Sequence, residues 1–291
     1  MLIIGEGCSR PQPSSGILLL VADFDESVPH DSHITENVLS NLRQKLGQFE
    51  DIQVRELGRV ITKEEGSMVA RSEGKKNHAA IVVWGWYKME AETTLLNIFF
   101  EVLRPPHYAP VFKLEGEEAP QEQKNASGEQ ESFIVQTRLP AEMNSLSFFA
   151  AGVARNAARD WDEAIALFGN ALKSPEEHTP ILEQSEIYRN RGNAYSAKGD
   201  YGQAITDYSE ALRFKPDDFW AYYDRGNAYS AKGDYHQAIA DYSEALRLKP
   251  NHVWIYYSRG DAYRAKGKYD RAIADYGHAI ELQPDFCRSL L

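Results

Sequence analysis

Apolar residues follow two different rhythms along this chain, and the change falls near residue 140. Before it, ILLLVADF (17–24) and AAIVVWGWYKM (79–89) are continuous apolar runs closed by turn residues, the pattern of strands buried on both faces. IQVREL (52–57) alternates like a strand with one wet face, and TTLLNIFFEVL (93–103) with SFIVQTRL (132–139) predicts an antiparallel pair. Between the strands, Val38, Leu39, Leu42 and Leu46 stand at helical spacing with Thr35 as the expected N-cap, and KEEGSMVARSEGKKN (63–77) reads as a second helix. In the strand AAIVVWGWYKM, alternation puts Trp84 and Trp86 on one sheet face and Tyr87 on the other. Strands alternating with helices predict an α/β domain over 17–140, a mixed sheet of about five strands with two helices. Residues 1–16 are expected to be a flexible leader. The polar, acidic stretch near 115–131 is expected to be a mobile loop.

After residue 140 the pattern repeats at an offset of 34. RGNAYSAKGDY occurs at Arg191 and again at Arg225, and RGDAYRAKGKY follows at Arg259. Stacking 185–218, 219–252 and 253–286 aligns Gly192, Gly226 and Gly260; Tyr195, Tyr229 and Tyr263; Ala204, Ala238 and Ala272; and Tyr208, Tyr242 and Tyr276. Ala211, Ala245 and Ala279 follow, then Pro216, Pro250 and Pro284. Each unit predicts two helices joined at a glycine (Gly199, Gly233, Gly267) that takes positive φ. Asp200 and Asp234 are placed to cap the second helix or to complement its N-terminal charge, and the prolines end it. A divergent unit, 145–178, supplies Gly152, Ala164, Phe168 and Ala171 in register but carries Arg155 where the others have tyrosine. One such unit cannot bury its apolar face alone, so an all-α superhelical solenoid of four units over 145–286 is expected.

These columns resemble the tetratricopeptide repeat (TPR), a helix-turn-helix unit of the same length. The resemblance implies a right-handed array whose first helices line a concave face, with the second, fifth, ninth and twelfth residues of each unit turned toward it. Those positions include Glu186, Arg189, Asn193 and Ser196; Trp220, Tyr223, Asn227 and Ser230; and Trp254, Tyr257, Asp261 and Arg264. Trp220, Tyr223, Trp254 and Tyr257 form an aromatic ladder suited to a peptide with apolar anchors. Asn193 and Asn227 are expected to meet the ligand's main chain, with Glu186, Asp224 and Asp261 selecting positive charge. The alternative for the tryptophans is packing against the preceding unit. The two-carboxylate clamp of some TPR arrays is matched only at Arg189 and Asn193, so an EEVD-type tail is not the expected ligand. After Pro284 only DFCRSLL remains, and an open last face leads us to expect self-association or docking through Phe286, Leu290 and Leu291, against the alternative that they fold back.

The amino-terminal half resembles the α/β domain of the TolB amino-terminal and CsgG-like group, on the opening strand to Asp23, the helix from Thr35, and the strand through Gly85 with its hairpin. That group brings no catalytic residues.

Composition narrows the function. The formal charge of −11 opposes nucleic acid and anionic membranes as partners, and two cysteines, Cys8 and Cys287, cannot build a disulfide framework or a cysteine-based zinc site. No apolar run is long enough for a membrane-spanning helix, and the start lacks the basic segment of a secretory signal. We therefore expect a cytoplasmic, bacterial, non-enzymatic scaffold that binds a protein or peptide segment without cofactor or metal. An envelope-associated assembly factor of CsgG/TolB type is the alternative, which a basic, apolar extension upstream of Met1 would favour. A remoter alternative is a Mg²⁺-dependent phosphatase using Asp23 and Asp25, which lie at a strand end as in haloacid-dehalogenase-type enzymes; the acidic metal pair those enzymes carry on a later strand is missing. His30 and His33 lack a third metal ligand at useful spacing.

Overall fold

The structure is a computed structural model, and it describes residues 17–26, 33–90, 93–103, 132–139, 143–173 and 181–284. The expected leader 1–16, the loop near 115–131, His30, both cysteines, and Phe286, Leu290 and Leu291 lie outside the described residues.

The amino-terminal half is a mixed sheet with strand order β3-β1-β4-β5-β6. Strands β1 (Ile17–Asp23), β3 (Ile52–Val60) and β4 (Ile81–Glu90) run parallel, whereas β5 (Thr93–Val102) and β6 (Ser132–Leu139) add antiparallel. A two-residue strand, β2 (Asp25–Glu26), pairs with β4. The apolar runs β1 and β4 sit centrally because both their faces are covered. Leu19, Val21, Val83 and Tyr87 pack with Val38, Leu42 and Leu46 of α1 (His33–Leu46). On the opposite face Leu20, Ala22, Val82 and Trp84 pack with Ala70 of α2 (Gly66–Lys76), and Trp86 joins them, as alternation predicts. Each fully buried aliphatic side chain here contributes about 1.5–3 kcal/mol relative to exposure. The expected cap of α1 is corrected: the helix begins at His33, and Thr35 Oγ1 instead accepts the Phe24 backbone N–H at 3.0 Å, tying the exit of β1 to α1.

The carboxyl half is a run of helix pairs: α3 (Met143–Ala157) with α4 (Trp161–Lys173), α5 (Ile181–Lys198) with α6 (Tyr201–Phe214), α7 (Phe219–Ala231) with α8 (Tyr235–Leu248), and α9 (Val253–Ala265) with α10 (Tyr269–Leu282). Gly199, Gly233 and Gly267 turn the chain at φ of 91°, 81° and 68°. Asp234 caps α8 by accepting the Gln237 N–H at 3.3 Å, while Asp200 makes no such side-chain bond to α6.

Why the glycine column exists is visible in the packing: a Cβ on Gly152 would stand 2.6 Å from the Phe168 ring, and on Gly226 2.7 Å from the Tyr242 ring. The paired helices approach as far as a bare backbone allows. A second periodic device, not singled out in the sequence, holds the last three pairs. Arg191, Arg225 and Arg259 form two-pronged bonds of 2.7–2.8 Å to Asp207, Asp241 and Asp275 of the paired helix. Arg225 and Arg259 also donate to Ser209 and Ser243 of the preceding unit, at 3.0 and 3.1 Å, so one guanidinium joins three helices. Donating to the Asp207 carboxylate holds the Arg191 guanidinium more firmly protonated than usual.

One cluster of buried apolar side chains continues from the sheet into the helices. Phe149, Ala150 and Val153 of α3 pack in it with Phe100, Val102 and the apolar residues of α1, and Phe168 and Ile187 extend it. Arg155, the departure from the tyrosine column, explains itself here. It bonds Asp51 at 2.7 and 2.8 Å and lies over the Phe49 ring at 4.3 Å, locking the first helix pair to the sheet side.

Candidate peptide-binding surface

The first helices of successive units, α5, α7 and α9, lie next to one another. The candidate residues lie on these three helices, and they divide into a charged end and an aromatic stretch.

At the α5 end Arg189 is buried, 7% exposed, with Glu186 at 3.0 Å, Asp224 at 3.7 Å and Asp218 at 3.8 Å. Three carboxylates thus surround one guanidinium. Asp218 also caps α7 through the Trp220 and Ala221 N–H groups at 3.0 and 3.4 Å, which fixes the direction in which α7 sets out.

The aromatic stretch is periodic. Trp220 and Tyr223 stand 6.1 Å apart at 67°, and Trp254 and Tyr257 repeat this at 6.1 Å and 79°, both pairs half-buried and edge-to-face. Behind them Tyr223 meets Tyr242 at 6.0 Å and Tyr257 meets Tyr276 at 5.7 Å. Tyr223 also reaches α9, its hydroxyl 3.5 Å from Ser258 Oγ, and burial pushes its pKa up. Sequence reasoning missed His252. It occupies the helix-preceding place that Asp218 holds one unit earlier, and it is enclosed by Trp220 at 5.2 Å, Phe219 at 5.8 Å and Tyr223 at 6.2 Å. Its alignment with a capping aspartate was the available signal.

The ninth-place residues act within the fold. Asn193 and Asn227 each accept a hydrogen bond of 2.8 Å from the tyrosine of the paired helix, Tyr208 and Tyr242. In the last unit Asp261 accepts from Tyr276 at 2.7 Å, with Arg264 at 3.1 Å. Burial, then the bond to Asp261, raises the Tyr276 pKa. Those amide carbonyls are committed to internal tyrosines, which holds the Asn193 and Asn227 side chains in place, Asn193 being buried.

Asp23, one of the two aspartates of the phosphatase reading, sits at the end of β1 paired with Val60 of β3, and burial followed by the charge of Glu56 raises its pKa. Among the described residues no three His, Cys, Asp or Glu side chains stand together as a metal site, and no helix is long and apolar enough to cross a membrane.

Comparison with known proteins places the repeats. The family described as TPR repeat matches residues 192–233 and 226–263, and the one described as Tetratricopeptide repeat matches 253–286. Sequence comparison with curated proteins finds no match. Among solved structures, the chain is similar to MamA, with 23% identity and a TM-score of 0.45 over 50% of this chain and 81% of that one. It is similar to a MamA fragment from Desulfovibrio magneticus RS-1, with 20% identity and a TM-score of 0.45 over 49% of this chain and 77% of that one. It is also similar to YrrB, described as a TPR protein with an unusual peptide-binding site, at 20% identity and a TM-score of 0.45 over 50% and 72% of the two chains. Residues 192–286 are tetratricopeptide repeats, preceded by helices and a mixed sheet.

Proposed function

We propose that this chain is a non-enzymatic interaction adaptor that holds a peptide segment along the surface formed by α5, α7 and α9. The observation that carries the reading is the repeated, half-buried Trp220/Tyr223 and Trp254/Tyr257 pairs. Aromatic rings fixed edge-to-face but not fully covered gain by burial against a ligand, and their internal contacts mean little side-chain freedom is lost on binding. Glu186, Arg189, Asn193, Asn227, Asp261 and Arg264 give the surface a stiff polar frame, because each is already bonded within the fold. The carboxylates around Arg189 outnumber it, which suits a ligand with apolar anchors and a basic residue at the α5 end.

Affinity capture with the intact chain and with Trp220→Ala/Trp254→Ala tests this. The double variant is expected to keep its helical melting profile and lose the captured proteins. A captured set that does not change would overturn the assignment of this surface.

A further inference from the structure

The last described helix, α10, carries an apolar stripe that nothing among the described residues covers. Tyr269, Ile273, Gly277 and Ile280 of α10 follow i, i+4, i+8 and i+11 and so lie on one face, with Tyr269 64%, Ile273 67% and Ile280 44% exposed. The same columns in earlier units are Tyr235, Ile239, Ser243 and Leu246 on α8, and Tyr201, Ile205, Ser209 and Leu212 on α6. There Leu246 and Leu212 are only 6% and 8% exposed, because a helix lies over each. Leu246 clusters with Ile255 and Tyr256 of α9, and Leu212 with Ala221 and Tyr222 of α7. The chain thus shows twice what covers such a face: an amphipathic helix offering an aliphatic or small residue beside an aromatic one.

Two departures define what fits α10. Ser209 and Ser243 accept the Arg225 and Arg259 guanidinium groups of the covering helix, but the corresponding residue here is Gly277. It has no hydroxyl to receive an arginine, and a Cβ there would meet nothing within 4 Å, so an apolar side chain can come close. The second departure is charge. Asp270 and Glu281 edge the stripe, Glu281 with His278 Nδ1 at 3.4 Å. Two copies of α10 crossing antiparallel at Gly277 would set Asp270 of one near Glu281 of the other. That repulsion disfavours a second copy and favours a covering helix with a basic edge.

We propose that α10 is a docking face for an amphipathic helix of a partner protein, with bulky apolar residues over Gly277 and lysine or arginine facing Asp270 and Glu281. This face is distinct from the aromatic surface, so the two stand or fall separately.

Two synthetic helical peptides about 16 residues long, both with a leucine stripe, one edged by lysine and one by glutamate, serve as probes in fluorescence anisotropy. The intact chain should bind the lysine peptide, and the glutamate peptide about fivefold more weakly at low salt, as two exposed ion pairs allow. Ile273→Ser/Ile280→Ser, which alters only exposed residues, should abolish both, while Trp220→Ala/Trp254→Ala should bind as the parent does. No binding to the intact chain, or equal binding to the serine variant, would sink the proposal. So would a dimer of the intact chain that the serine substitutions dissociate, which gives the face to a second copy. Binding that appears only after residues 285–291 are removed gives it to the chain's own end and equally overturns the proposal.

Discussion

Replacing Gly226 and Gly277 by alanine in turn tests whether close helix approach governs the repeat. Both glycines lie within helices, where alanine is favoured by about 1 kcal/mol through backbone entropy. At Gly277 the new methyl enters open space, so Gly277→Ala should stabilise the chain by about 0.5–1 kcal/mol. At Gly226 the methyl would stand 2.7 and 2.8 Å from Cε1 and Cδ1 of Tyr242, about 1 Å inside ordinary carbon contact. The ring has nowhere to go: Tyr242 is 0% exposed, and its hydroxyl is tied to Asn227 at 2.8 Å. Overpacking of this kind costs about 2–3 kcal/mol, which leaves a net loss of about 1–2 kcal/mol once the propensity gain is subtracted. In urea unfolding followed by circular dichroism, Gly226→Ala should lower the midpoint by about 0.5–1 M and Gly277→Ala should raise it slightly. Midpoints that move in the same direction by similar amounts would refute the claim that the tyrosine ring, rather than helix propensity, dictates glycine in this column.

Arg155→Met should weaken the joint between the sheet and the first helix pair, costing about 1–3 kcal/mol for its two bonds to partly hydrated Asp51. Hydrogen exchange should then show β1, α1 and α3 losing protection together, and loss confined to α4 would contradict a shared core. Asp23→Asn addresses pH dependence. Because Asp23 has a raised pKa in the folded state, its ionised form opposes folding, so the variant should be more stable than the parent at pH 7. That advantage should shrink as pH falls through the folded pKa and vanish below the unfolded value of about 4. An advantage that grows toward acid would contradict the sign, and a Mg²⁺-dependent phosphate-ester activity lost in the same variant would revive the enzyme reading.

The repeats were legible because identical columns at a fixed offset are a long-range signal written locally. Glycine, tyrosine, alanine and proline at offsets of 34 located the turns, the close contacts and the helix ends. The strands were legible from continuous apolar runs, and the opposite facing of Trp84 and Tyr87 from alternation alone. Other features depend on which helix lies beside which. Arg225 and Asp241 also recur at the same offset, yet columns of charge resemble a solvated face until the paired helix brings them within 2.8 Å. The bond that the Asn227 carbonyl oxygen accepts from Tyr242 was not legible, because Tyr242 lies 15 residues away on the other helix of the pair. Arg155 was visible only as an exception; its partner Asp51 is 104 residues distant, beyond any periodic reading. Thr35 carried a good capping side chain, but the start of α1 was fixed further upstream, and the hydroxyl was taken by Phe24.

The apolar cluster that runs from β1 through Phe149 and Phe168 to Ile187 has a mechanical consequence. A string of helical repeats attached by a loose tether could swivel, and whatever it carried would point anywhere. Here the opening hairpin is rooted in the same interior as the β-strands, so a peptide held at Trp220 and Trp254 as proposed would keep a set bearing toward the sheet. On that reading the amino-terminal half would act as the base plate of a bracket, and a partner gripping it would meet the bound peptide at one angle only.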